Sequence, residues 1–177
     1  MDSFFPLREG LTRHYCLATT VLVEQFDIRV GPQVEIDVTD MVGGGDHTVR
    51  AWTLEQGSTR PRFAVEQTDG VQIFERRTFG EPAREALVMT VDWRWKGEPA
   101  WSHPTWHYSL GKMSYRRAGE EDITVTAGAY RCIKILLDDG DSGAVWLAQG
   151  VGLIRSVGRI EGLNPARYSV IELLGLS

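Results

Sequence analysis

"AVWLAQGVGLIRSV", residues 144–157, contains two apolar runs separated by Gln149-Gly150-Val151-Gly152. Those four residues fit two incompatible architectures. A glycine loop that cradles phosphate stands between a strand and a helix, whereas a glycine kink within a sheet is followed by more strand. The dinucleotide pattern G-x-G-x-x-G would need glycine at position 155, which is Arg155. The residues that follow, "LIRSVG" (153–158), are β-branched and alternating, and no Gly-Lys-Ser/Thr occurs anywhere in the chain. The expectation is a strand that bends or bulges at Gly150 and Gly152 and then continues, glycine relieving the Cβ clash of tight curvature. Gly128, in "TAGAY", is a third structural glycine at a strand break.

Working outward, the same period of two recurs. "QVEIDVTDMV" (33–42) puts Val34, Ile36 and Val38 on one face and Glu35, Asp37 and Thr39 on the other, the pattern of a half-buried strand. "TRHYCLATTVLVEQFDIRV" (12–30) is β-branched without a helical stripe, and "GGGD" (43–46) reads as a turn. Strands are expected at 47–56, at 62–67 and 71–77 across the hairpin signal "TDG", at 91–97, at 105–110, within 122–158 with breaks at Ala127-Gly128 and Asp138–Gly143, and at 167–177. "EPAREALVMT" (81–90) alone has helix-like composition. The count is ten or eleven strands with turn signals between them. The expected fold is all-β: one domain over 1–177, a single antiparallel sheet of about ten strands curled into a half-barrel or open barrel.

The bulk numbers set limits. A chain of 177 residues with 42% apolar composition, six Trp, six Phe and five Tyr can build a core without disulfide or metal. Residues 1–90 carry nine Arg against fourteen acids and residues 91–177 carry ten cations against ten acids, so neither half is basic. No Lys/Arg run exceeds two, which argues against a nucleic-acid partner. No apolar run is long enough to span a membrane as a helix. "MDSFFPLREG" has neither a basic start nor an apolar leader core. The expected location is cytoplasmic if the chain is complete, and periplasmic or extracellular if a leader has been removed. Oligomeric state is left open. Cys16 and Cys132 suit two reduced core thiols better than a disulfide, which stays open.

Four segments in order, "FPLREGLTRHY" (5–15), "TDGVQIFERR" (68–77), "ITVTAGAYRCIKI" (123–135) and "AVWLAQGVGLIRS" (144–156), resemble a family of bacterial proteins of unknown function. Its members open with FPL..G..W.Y, carry V.AG.F.C.KV near the end and follow it with VWYA.GVGLVK. Two departures stand out: His14 lies in the segment where a Trp is usual two positions further on, and Leu147 replaces a usual Tyr. Many members look like exported proteins or lipoproteins. The family is similar in layout to the lipoprotein-carrier (Lol-type) superfamily of open half-barrels with an apolar inner face. The resemblance implies a lipid or other apolar ligand, and supplies no catalytic residues.

Motifs for chemistry are sparse. His103 and His107 in "HPTWH" would share a helical face, but Pro104 and the alternation argue strand or loop, with no third ligand in register. "DDGDSG" (138–143) lacks the order of a calcium loop and reads as an acidic hairpin tip. No G-x-S-x-G surrounds any serine, and Cys132 in an apolar strand would be an inert thiol. No cofactor or metal is expected. The informative group is aromatic: Trp93, Trp95, Trp101 and Trp106 crowd together, joined by Trp52, Trp146, Tyr108 and Tyr115. Trp52, Trp93, Trp95, Trp106, Tyr108 and Trp146 are the candidates to line an apolar site, with filling of the sheet interior as the competing reading. The expected function is non-enzymatic binding of a lipid or apolar molecule. The alternatives are an interaction module acting through a sheet face or edge, and a hydrolase without a recognisable motif.

Overall fold

The computed structural model describes residues 4–39, 46–57, 62–67, 70–77, 84–92, 100–104, 112–137, 143–160 and 167–177. Within them lie twelve strands: β1 (Thr12–Ala18), β2 (Val23–Thr39), β3 (Asp46–Glu55), β4 (Arg62–Gln67), β5 (Gly70–Arg77), β6 (Arg84–Asp92), β7 (Ala100–Pro104), β8 (Lys112–Val125), β9 (Gly128–Leu137), β10 (Gly143–Ala148), β11 (Gly152–Ile160) and β12 (Arg167–Leu176). All join one sheet in the order β3-β4-β5-β6-β2-β1-β12-β11-β10-β9-β8-β7. Pairing is antiparallel except for a short parallel contact between β2 and β6 at Val38↔Glu85 and Thr39↔Ala86. The sheet is open, with β7 ending the order at one side. At the other, β3 also pairs with β2, which turns the β2–β6 run back on itself. The expected all-β antiparallel sheet is present, with twelve strands rather than about ten.

The sheet curves. Leu54 of β3, Ala64 of β4 and Val71 of β5 share one buried cluster with Ile133 and Ile135 of β9 and Leu147 of β10. From β8 to β12 is four strand spacings, roughly 19 Å across a flat sheet, yet the two strands come into contact, so the sheet is curved. In the first cluster Val30 of β2 lies between the two groups, Leu7 is buried with them, and Phe4, Phe5 and Leu11 pack against it from outside the sheet. A second cluster gathers Tyr15, Cys132, Trp146, Ile154 and Leu173, and a third holds Ile36, Val38, Ala51, Phe63 and Phe74 within β2–β5.

Several local expectations change. The 144–157 stretch does not bend and continue; it reverses. Ala148 pairs with Gly152, and β10 and β11 run antiparallel on either side of a three-residue turn. Gly150 and Gly152 adopt φ of +74° and +109°, which L side chains rarely adopt, so glycine here permits a chain reversal. Residues 12–30 are likewise two strands, turned at Thr19–Leu22 where no glycine or proline marks the break. Conversely, Gly31-Pro32 does not divide β2. Pro32 has no N–H to donate, so the pairing to β3 slips between Val30 and Gln33 and the strand runs on. The helix-like 81–90 stretch supplies most of β6. Leu87, Met89 and Val91 are register partners of Phe74, Ile73 and Val71, so pairing with β5 decides the conformation over intrinsic helix preference. Of the strand expected at 91–97 only Val91 and Asp92 are described, in β6; residues 105–110 and the acidic tip 138–142 lie outside the described residues.

Candidate functional site

The most unusual side chain is Arg13. Alternation along β1 turns Arg13 and Tyr15 to one face, and both are buried, Arg13 with 0% of its surface exposed. Two of its donors reach backbone carbonyls. Nε donates to Val151 O at 3.0 Å and Nη2 to Pro6 O at 2.6 Å. Its guanidinium carbon lies 4.9 Å from the centre of the Phe5 ring. The third nitrogen, Nη1, is buried with no hydrogen-bond partner. Tyr15 donates its hydroxyl to Leu153 O at 3.2 Å and stacks on Phe26 with ring centres 5.4 Å apart. Burial lowers the Arg13 pKa and pushes the Tyr15 phenol up to about 12.

Arg13 explains the glycine turn. A Cβ on Gly152 would come 3.2 Å from Arg13 Nε, so glycine there leaves room for the guanidinium. The Val151 amide donates to Ala148 O at 3.2 Å and is spent within the turn. The turn therefore offers the Val151 carbonyl to β1 and spends the Val151 N–H within itself, the reverse of a phosphate cradle.

The aromatic candidates separate. Trp52 is half-buried and packs against the first cluster. Trp146 lies on the opposite face of β10 from Leu147 and belongs to the second cluster. It is 8% exposed, its indole N–H donates to Glu121 Oε1, and Lys134 Nζ and Arg155 Cζ lie 5.0 and 5.7 Å from its ring. The structure does not bring Trp52 and Trp146 together. Trp93, Trp95, Trp106 and Tyr108 lie outside the described residues, as does His107. Trp101 and His103 fall in β7, paired with Tyr115 and Met113. Among the described residues no group of three His, Cys, Asp or Glu is placed to hold a metal. Cys16 and Cys132 are both free, four strands apart in the sheet. Burial lifts the Cys132 thiol to about 11, further from the reactive thiolate.

A polar surface depression of about 980 Å³ runs past β1 and β2, lined by Gly10, Thr12, Asp27, Arg29 and Glu55 among others. Beside it His14 Nδ1 meets Asp27 Oδ1 at 2.7 Å and His14 Nε2 meets Ser177 Oγ at 3.0 Å. The order of atoms is that of a hydrolase relay, but the cause is register: His14 stands directly opposite Asp27 and Gly175. All three side chains are solvent-accessible, and the Ser177 amide is spent on Thr12 O rather than facing a substrate oxyanion.

No protein-family model matches the chain, and no curated protein matches it. Two solved structures share its fold. One is a "putative lipoprotein" from Parabacteroides distasonis, with TM-score 0.54, 14% identity and 99% of each chain covered. The other is a "putative exported protein" with a YmcC-like fold from Bacteroides fragilis, with TM-score 0.50, 12% identity and 100% of each chain covered. The likeness extends over the whole chain and concerns the fold.

Sequence reasoning missed Arg13 entirely. It sits in "TRHYC", where an arginine between a threonine and a histidine reads as surface. The available signal was parity: Arg13, Tyr15 and Leu17 alternate on one face, and Tyr15 is a core residue type. His14, Asp27 and Ser177 were also missed, because their adjacency arises from pairing across three strands.

Proposed function

We propose that the chain is a non-enzymatic binding protein that takes an apolar molecule on the inner surface of its curved sheet. The observation that carries this is the first cluster. Apolar residues from β3–β5 and β9–β10 belong to one buried cluster that also takes in Leu7, with Phe4, Phe5 and Leu11 packed against it, all four from outside every strand. A core completed by a detached segment is one that another apolar body can complete. The packing of Trp52 against this cluster supports it as a lining residue. Trp93, Trp95, Trp106 and Tyr108 are kept on sequence grounds alone. The two solved structures, one described as a "putative lipoprotein" and one as a "putative exported protein", support a periplasmic or extracellular setting, and the similarity in layout between the motif-matched family and the lipoprotein-carrier superfamily supports a lipid as the ligand class. Native mass spectrometry of the purified chain, with organic extraction, tests the reading. The expected result is a near-stoichiometric apolar adduct; a protein that neither retains an adduct nor binds added alkyl chains overturns it.

One observation favours a second reading, an interaction module. The β1–β2 hairpin tip exposes three consecutive apolar residues, Val21 at 80%, Leu22 at 48% and Val23 at 70%. Thr19 satisfies the tip's backbone: Oγ1 accepts from the Val21 and Leu22 amides, and the Thr19 amide donates to Leu22 O. A tip with its polar groups internally paired and its apolar groups outward is suited to a partner surface. If it mediates self-association, the Val21→Ser/Val23→Ser double variant is a monomer where the parent is a dimer; identical masses in solution remove that role.

A further inference from the structure

Arg13 is an odd residue to bury. A guanidinium withdrawn from water is tolerated where a carboxylate neutralises it or every N–H finds an acceptor. Neither condition holds. Nε and Nη2 use neutral carbonyls, Nη1 has no hydrogen-bond partner, and no ion pair to Arg13 forms among the described residues. The carbonyl on Nη2 belongs to Pro6, within the Phe4–Leu7 segment that fills the inner cluster. This segment therefore presents an oxygen to the guanidinium and apolar groups to the interior. An anionic amphiphile presents the same two things, with a full charge in place of a carbonyl dipole.

We propose that Arg13 and the inner apolar surface form a binding site for an amphiphile with an anionic oxygen head group, and that residues 4–7 are its displaceable occupant. The head group takes Nη1 and Nη2 together, a two-pronged contact that completes the guanidinium's donors. The alkyl chain takes the place of Phe4, Phe5 and Leu7. The segment has a place to pivot: Gly10 has φ of +84°, with open space where a Cβ would be, and its amide is tied to Val30 O at 2.8 Å. The chain from Gly10 onward is held by β2 while the residues before it swing away. Carboxylate and phosphate heads share this chemistry, and the test separates them.

The inference rests on the apolar-ligand reading and adds the head group to it. The test is calorimetric titration of the full chain with hexadecanoate, hexadecyl phosphate and hexadecan-1-ol below their aggregation limits, with hydrogen exchange followed over residues 4–11. One or both anions should bind about tenfold or more tightly than the alcohol, as expected for charge-assisted hydrogen bonds. The anion that wins identifies the head group. Anion binding should speed exchange at the Phe5 and Leu7 amides. In Arg13→Met the anion-to-alcohol ratio should fall to about one with alcohol affinity retained. If that variant does not fold, the ratio on the parent protein decides. An alcohol that binds as tightly as both anions overturns the head-group site and leaves the apolar reading standing. Binding by none of the three overturns both.

Discussion

Arg13 and Arg155 show how differently one sheet treats the same side chain. Arg155 belongs to a rung that crosses four strands by register, Lys134↔Trp146↔Arg155↔Glu172. Its Nε is buried without a hydrogen-bond partner but lies 3.3 Å from Glu172 Oε1, which pairs its charge; Trp146 lies between it and Lys134, and its side chain is 37% exposed. Charge on this rung is paired and partly hydrated, so each ion pair contributes little, and none is costly to keep. Arg13 has no such relief. It is sealed beneath Phe5, held by two carbonyls, with one nitrogen unmatched. A chain selected only for stability would do as well with an apolar residue there. The contrast is the reason to assign Arg13 a ligand and to treat Arg155 as scaffold.

The comparison is tested most strongly at the glycine turn, where the seat of Arg13 can be closed without touching Arg13. Gly150→Ala places a side chain at φ +74° with nothing within 4 Å, so only backbone strain opposes it, about 1 kcal/mol. Gly152→Ala adds to strain at φ +109° a Cβ set 3.2 Å from Arg13 Nε, and should cost about 2–3 kcal/mol. Thermal or denaturant unfolding measures both. Equal losses would mean that the guanidinium yields easily and that its seat is not closely built.

Fold class was legible in the sequence because strand faces are set by parity, and parity survives in segments such as Val34-Glu35-Ile36-Asp37-Val38. Turns were legible where backbone chemistry demands glycine, as at Gly128 with φ +136°, and illegible at Thr19–Leu22, where a threonine hydroxyl does the work. The 81–90 stretch misled because Arg, Glu, Ala and Leu favour helix locally, while its partner strand β5 lies outside any local window. The site was the least legible part. Arg13 acquires its meaning from Pro6 and from Val151, one nearby and one 138 residues away. Of the aromatic candidates, Trp52 and Trp146 part because β10 turns consecutive side chains to opposite faces, and composition cannot say which tryptophan faces which way.

The smaller effect, and the finer check, is on the charged rung. The Glu121 carboxyl is held below the ordinary glutamate pKa, first by the Trp146 indole N–H and then by Lys134, with burial opposing both. A depressed carboxylate contributes stability that is present above its unfolded pKa and lost as pH falls through the folded one. Trp146→Phe keeps an aromatic ring but removes the N–H, so Glu121 should titrate at higher pH, nearer its ordinary value. The acid limb of stability attributable to Glu121 should shrink with it. Carboxyl NMR titration reads the shift directly. Lys134→Met should also raise the Glu121 pKa, since the lysine's hydrogen bond and its charge each lower it, each ranking singly behind the indole. Both effects should be small in free energy, because Glu121 is 42% exposed and water already screens it. If Lys134→Met moves Glu121 more than Trp146→Phe does, the rung is organised by ion pairing, and Trp146 is a packing residue whose indole hydrogen bond is incidental.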